Sequence, residues 1–411
     1  MQRLILARLF AALLLTLGAC QSLPAAREDR LPVTVALADG SAERQAMNAR
    51  VWDAATGFVE RNFYQRDFVR TGWPDQVAAA RAEAIAQPDE AGFYRALNAV
   101  LGQLDDRHTA ATPPALNLRA QERRLQATPR FGLAFAAAPG GEGEAVYVTR
   151  VVSGSAAADA GVQPGWRLVS VDEAPYRPAS TYAAGPHRWA FVDAAGADRI
   201  VEMTARPTPR ELAAIDRRPD EVLVVRFDEF DADTRRFVLA RLKTELARPP
   251  RALVIDLRSN RGGLDSEVGR LLSPFFAERR LFAIEDIARF PDRRLRTRPG
   301  EVRYDGPLAV LTSGASASGA EVFAAAIQEA RRGPVVGALT RGAVVGSHMY
   351  DLPDGGRLSV GVVAFRTGSG ALLEHVGVTP DLPVPVTVED LSAGRDGPLE
   401  AAVAALTAPI P

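Results

Sequence analysis

The chain has 411 residues, 47% of them apolar and 24% charged. That length supports two or three domains with separate cores, and the composition excludes a disordered chain. A net charge of −1 excludes the basic footprint of a nucleic-acid binder, so no nucleic-acid partner is expected.

Of the 49 basic residues one is lysine, Lys243, and arginine supplies the rest. At the N-terminus, Arg3 and Arg8 flank the start of an apolar run at residues 9–17. The run is far shorter than the roughly 20 residues of a spanning helix. It leads into Leu17-Gly18-Ala19-Cys20, and Cys20 is the only cysteine, so no internal disulfide can form. This stretch resembles the bacterial lipoprotein signal. The resemblance implies a cleaved segment 1–19, lipidation of Cys20 and anchoring in the cell envelope. Gln21 in place of Asp favours the outer membrane, with the chain facing the periplasm. A plain signal peptide with an incidental cysteine is the alternative. Residues 20–41 are small and polar, as a tether would be.

Residues 42–125 read as an N-terminal helical domain. Val51, Trp52, Ala55, Phe58, Val59 and Phe63 recur at spacings of three and four, and Phe93, Leu97, Val100, Leu101 and Leu104 do the same. Pro113 and Pro114 close the region. Residues 126–207 change to short strands around Phe131, Leu133, Phe135, Val146, Val148 and Val151. A short alanine-rich helix ending near Gly161, a Pro164-Gly165 turn and a strand at 168–171 follow. Together they resemble a bacterial PDZ domain, with Phe131, Gly132 and Leu133 in its carboxylate-binding loop. Such modules take an extended peptide as an added strand.

Residues 208–392 alternate strands and helices, with strands at 222–227, 252–257, 308–311, 335–337 and 358–365 and a helix at about 318–330. This argues for an α/β core. Residues 393–411 are expected to be a C-terminal tail.

Two segments carry chemistry. In Asp256-Leu257-Arg258-Ser259-Asn260-Arg261-Gly262-Gly263, a strand runs into two glycines, whose exposed N–H groups suit an oxyanion hole or an ordinary turn. In Ser316-Ala317-Ser318-Gly319-Ala320-Glu321, Ser318 and Glu321 have the spacing of a capping box. A serine at a helix start also sits in positive potential that favours an alkoxide.

The two segments, followed by Gly377-Val378-Thr379-Pro380-Asp381, resemble the signature of the C-terminal processing, or tail-specific, serine peptidases. The likeness extends over residues 42–385. It implies a multi-domain α+β protein: an N-terminal helical region, a PDZ-like β domain and an α/β peptidase core of the crotonase or ClpP kind. It also implies Ser318 as nucleophile, with oxyanion donors at Gly262, Gly263 and Gly319. One position departs from the common pattern: Ala343 stands where most members carry the lysine of a Ser-Lys dyad. His108, after Leu104-Asp105-Asp106-Arg107, resembles instead the base of the tricorn-like branch, with Glu374 completing a Ser-His-Glu site. His348 and His375 remain alternative bases, and His187 reads as a surface residue.

The resemblance implies an envelope serine endopeptidase that acts on protein or peptide substrates and recognises C-terminal tails. A catalytically inactive scaffold that binds tails is the alternative, and a hydrophobic-ligand carrier is a third. No cofactor or metal is expected, because the histidines and the cysteine lack ligand spacing. The sequence leaves the oligomeric state open.

Overall fold

The computed structural model describes residues 35–106, 108–118, 129–137, 145–176, 185–207, 211–287 and 290–407. The signal-like segment and Cys20 lie outside them. Among the described residues no helix is long and apolar enough to cross a membrane.

The chain begins with four helices, α1 (Ala42–Asn62), α2 (Arg66–Thr71), α3 (Trp73–Ile85) and α4 (Glu90–Leu101). Ser41 and Asp89 cap α1 and α4 by accepting from the N–H three residues on. The expected apolar stripe is buried: Val51, Trp52, Ala55, Val59 and Phe63 are all inaccessible. It packs with Leu352, Leu358 and Val360 from far along the chain. Strand β1 (Ala110–Thr112) leaves the helical region to pair with a strand near residue 358, so the helices share a core with the C-terminal third of the chain.

The second region is a five-stranded antiparallel sheet. It contains β3 (Leu133–Ala137), β4 (Val146–Val151), β5 (Arg167–Val171), β6 (Pro186–Val192) and β7 (Asp198–Thr204), in that order. A two-stranded ribbon, β2 (Pro129–Arg130) with β8 (Arg206–Pro207), closes its base. Helix α5 (Ala156–Asp159) is capped by Ser155. The expected peptide-loop residues have structural work to do. Phe131 is fully buried, 4.9 Å edge-on to Trp189. Gly132 has φ +81°, and a Cβ there would lie 2.1 Å from Ser155 Cβ. Leu133 pairs with Val151.

The third region is built on a six-stranded sheet, β9 (Ala214–Arg217), β10 (Val222–Arg226), β11 (Ala252–Asp256), β14 (Leu308–Thr312), β15 (Val335–Gly337) and β18 (Leu382–Pro383), in that spatial order. From β10 to β18 the pairing is parallel. Strands of such a sheet are buried on both faces and read as continuous apolar runs. Alternate residues go to opposite sides. Leu223, Val225, Leu253, Ile255, Leu308 and Val310 face a core covered by α6 (Ala232–Glu245), α7 (Asp265–Leu272) and α8 (Gly319–Glu329). Val222, Val224, Ala252, Val254, Ala309 and Leu311 face the other way. That second face is covered by α10 (Gly397–Thr407), which comes after the short α9 (Val388–Ser392). The segment expected to be a C-terminal tail is thus largely a packed helix, because the exposed face of an apolar sheet needs a cover.

Beside this sheet lies another, with order β1-β17-β12-β13, where β12 is Leu281–Ile287, β13 is Arg293–Arg296 and β17 is Arg357–Thr367; β16 (Val345–Asp351) also pairs with β17. The loops that leave the carboxyl ends of β11 and β14 line one cleft with residues of β12, β16 and β17, the usual place for a site in an open α/β sheet.

Candidate active site

Ser318 stands at the turn from β14 into α8 with φ +54° and ψ −119°. A non-glycine residue in that region is strained, and such strain persists only where the surroundings hold it. Two contacts hold Ser318: its N–H donates to Ala343 O at 2.8 Å and to Glu321 Oε2 at 2.9 Å. Glu321 is fully buried. Its carboxylate also accepts from Ala343 N, Gly342 N and the Thr340 hydroxyl, at 3.0, 2.7 and 2.6 Å. The glutamate three residues after the serine is therefore more than a helix cap: it ties the nucleophile turn to the loop 340–343.

The glycine pair closes on the serine from the other side. A Cβ on Gly262 would fall 2.6 Å from Ser318 Cβ and 2.9 Å from both Ser318 Oγ and Gly319 N. Only a glycine allows that approach. The N–H of Gly262 is itself committed to Asn260 Oδ1 at 2.8 Å, so the expected oxyanion role of Gly262 is corrected: it supplies room, not a donor. Among the described residues no hydrogen bond claims the N–H of Gly263 or of Gly319. The latter is the first residue of α8, where a helix leaves its N–H groups unpaired. Gly319 also lies tight against its neighbours, since a Cβ there would meet Val268 Cγ2 at 2.8 Å.

Ser318, Gly263, Gly319 and His108 line one cleft of about 760 Å³, together with Ala343 and His348. His108 sits just ahead of β1. Its backbone N–H and its Nδ1 both meet Asp106 Oδ1, at 3.0 and 3.1 Å. The Thr109 hydroxyl donates to Asp106 Oδ2 at 2.5 Å and accepts from Gly361 N of β17. With Nδ1 on a carboxylate, Nε2 is the ring nitrogen left for a hydroxyl in the cleft. Burial would raise the Asp106 pKa, but the hydrogen bonds from His108 and Thr109 outweigh it and hold the carboxyl below its ordinary value.

Glu374 lies against the same imidazole. One of its oxygens accepts from Val344 N at 2.5 Å, while buried Oε1 has no hydrogen-bond partner. Donor atoms of Asp106, His108 and Glu374 all lie within 4.8 Å of one another. That is the one set among the described residues that could hold a metal ion. The same atoms also suit an imidazole base flanked by two carboxylates. Tyr64 is close by: burial first, then the charges of Asp106 and Glu374, push its hydroxyl up to about 12.

The other histidines separate. His348 lines the cleft and packs edge-on against Tyr350 at 4.7 Å. His375 is not among the lining residues; its N–H donates to Gly342 O. His187 contacts Asp172 in the second region. Lys243 is on α6, paired with Glu301 at 2.8 Å and not among the cleft residues, whereas Ala343 is buried in the cleft wall. Sequence reasoning passed over Asp106 and Glu321 as functional residues. Each stood inside a stretch that was singled out, and each is a short-range acid two or three residues from a reactive side chain.

A strained serine at a helix N-terminus thus lines the same cleft as a carboxylate-bound histidine beside an open α/β sheet. Residues 221–384 match the model of peptidase family S41. The chain is 25% identical over 334 residues to the carboxyl-terminal-processing protease of Synechocystis sp., covering 76% of this chain and 77% of that one. It is 34% identical over 171 residues to tricorn protease homolog 1 of Streptomyces coelicolor, covering 40% of this chain and 14% of that one. The solved photosystem II D1 C-terminal processing protease shares the fold, with TM-score 0.60 at 21% identity over 88% of this chain and 97% of that one. Over these stretches the chain is similar to C-terminal-processing proteases, and the peptidase-family match lies on residues 221–384.

Proposed function

We propose that the chain is an envelope serine endopeptidase of Ser-His-acid type in which Ser318 is the nucleophile and His108 the base. The observation that carries this is the meeting in one cleft of a strained helix-start serine, unclaimed N–H groups at Gly263 and Gly319, and an imidazole fixed through Nδ1. His108 Nε2 takes the Ser318 proton as Oγ attacks a peptide carbonyl. The oxyanion falls to Gly263 N and Gly319 N at the positive end of α8. His108 then gives its proton to the departing amine. Water, deprotonated by the same imidazole, releases the acyl group. Asp106 orients the ring, and Glu374 offers Oε1, which has no hydrogen-bond partner and lies 3.8 Å from His375 Nε2, to the imidazolium that forms. The burial of Ala343 in the cleft and the distance of Lys243 from it support this branch over a Ser-Lys dyad.

Substrate and place belong to the same proposal. Residues 126–207 would present C-terminal tails as a PDZ-like module, and Cys20 would carry the lipid anchor. The test is hydrolysis of quenched-fluorescence peptides. Ser318→Ala and His108→Ala should each lose at least about a thousandfold in kcat, with the double variant little worse, because such residues act as a unit. Lys243→Ala should match wild type. Full activity in Ser318→Ala would overturn the proposal. Activity in His108→Ala with a dead His348→Ala would move the base to the other cleft histidine.

A further inference from the structure

We infer that Arg261 and Arg341 are substrate-reading residues that bind peptide carboxylates close to the scissile bond. This rests on the serine peptidase reading of the same cleft.

The basis is charge left over in the cleft wall. Its charged lining residues are Arg261, Arg293, Arg341, Asp265 and Glu285. Arg293 binds both acids: Glu285 through two contacts and Asp265 at 2.9 Å. That leaves Arg261 and Arg341, both exposed, with no acid or other partner for either guanidinium among the described residues. Elsewhere in this arginine-rich chain exposed guanidiniums fall both ways: Arg81, Arg188, Arg303 and Arg395 are paired, while Arg70, Arg279 and Arg331 have no ion pair among the described residues, so it is their place in the cleft wall that sets Arg261 and Arg341 apart. Two unpaired guanidiniums beside a nucleophile favour an anionic ligand, and their planar fork suits a carboxylate.

Their placement is set by one peptide unit. The Ser316–Ala317 peptide is trans, so its C=O and N–H point in opposite directions. The C=O accepts from Arg341 N at 2.9 Å, and the N–H donates to Asn260 O at 3.1 Å. Arg341 and the Asn260-Arg261 turn therefore stand on opposite flanks of the nucleophile segment. Each flank is tied onward to Ser318: one through Ala343 O, the other through the contact of Gly262. A peptide lying across Ser318 passes both arginines. The carboxylate they read is either an Asp or Glu side chain or the free C-terminus of a short substrate.

The experiment measures anisotropy of labelled peptides on the full chain carrying Ser318→Ala, which binds without turnover. The peptides form three matched sets: an internal Glu against Gln, a free C-terminus against its amide, and a neutral reference. The expected result is tighter binding of the acidic member, by about tenfold per carboxylate read, as 1.4 kcal/mol gives. Arg261→Gln or Arg341→Gln should bring that ratio towards one, and Arg→Glu at either position should invert it. Loss of preference in the Glu set assigns an internal acid; loss in the amide set assigns the terminus. Equal binding of acid and neutral members, or a Glu-over-Gln preference untouched by both substitutions, overturns the inference; in the amide set only the part of the preference that the substitutions remove counts for the arginines, because the PDZ-like module would read the same terminus. A wild-type chain that cleaves no peptide while this preference holds would instead defeat the peptidase reading.

Discussion

Gly262→Ala perturbs the site with the smallest change of volume. A Cβ at this position would sit 2.6 Å from Ser318 Cβ. Ordinary contact begins at 3.4 Å, so serine and glycine loop must separate by about 0.8 Å. The Gly262 φ of +102° adds strain on the order of 1–3 kcal/mol for any L side chain. A misplacement near 1 Å costs about a hundredfold in rate. Partial loss of the Gly319 N–H, whose approach the same methyl crowds, costs a further factor of about ten to a hundred. The expected fall in kcat is therefore about 10³ to 10⁴, or roughly 4–5.5 kcal/mol at 1.36 kcal/mol per tenfold, with KM little changed. Peptide hydrolysis measures it, and chemical denaturation separates it from loss of fold. A folded Gly262→Ala chain with wild-type kcat would refute the packing of this glycine against the nucleophile.

Two further predictions rest on the buried acids. Asp106→Asn should lower kcat while leaving His108 in place, and the pH dependence of stability should identify the charge. The folded Asp106 carboxyl is held below its unfolded value of about 3.9, so its contribution is present above that pH and disappears as pH falls through the lower folded value. The stability gap between wild type and Asp106→Asn, followed by urea denaturation, should shrink as pH falls below about 4; a gap that keeps growing in that acid range contradicts the assignment. Glu321→Gln replaces an oxygen that accepts two hydrogen bonds with an NH₂ group, leaving buried N–H or O–H donors unpaired. The cost should be about 2–5 kcal/mol, and an unchanged denaturation midpoint would show that this hub does not hold the turn.

Much of this architecture is legible in the sequence because the periods are strong. The three-four spacing from Val51 to Phe63 gives the first helix, and the unbroken apolar runs at 222–225, 252–255 and 308–311 give buried parallel strands. The last helix is legible in part: Leu399, Ala402, Val403 and Leu406 keep helical spacing. Its role is not, since only the outer face of the sheet explains why it packs. The site divides the same way. Ser318, His108 and the glycine pair stand in short motifs, and the resemblance of those motifs to the tail-specific peptidases, rather than spacing alone, singles them out. That Gly262 gives space while Gly263 keeps its N–H free depends on the Asn260 side chain, which folds back locally. That Asp106 and Glu374 share one imidazole depends on β1 pairing with β17 across some 250 residues, a distance no local pattern crosses.

The central claim is that Ser318 is made nucleophilic by its turn and by His108. Treating the chain with a fluorophosphonate and locating the adduct by peptide mass spectrometry tests it most directly. The account predicts one phosphonylated residue, Ser318, with labelling slowed at least about a hundredfold in His108→Ala and absent in Ser318→Ala. An unlabelled Ser318 in folded protein, or labelling at Ser313 or Ser316 instead, would contradict it.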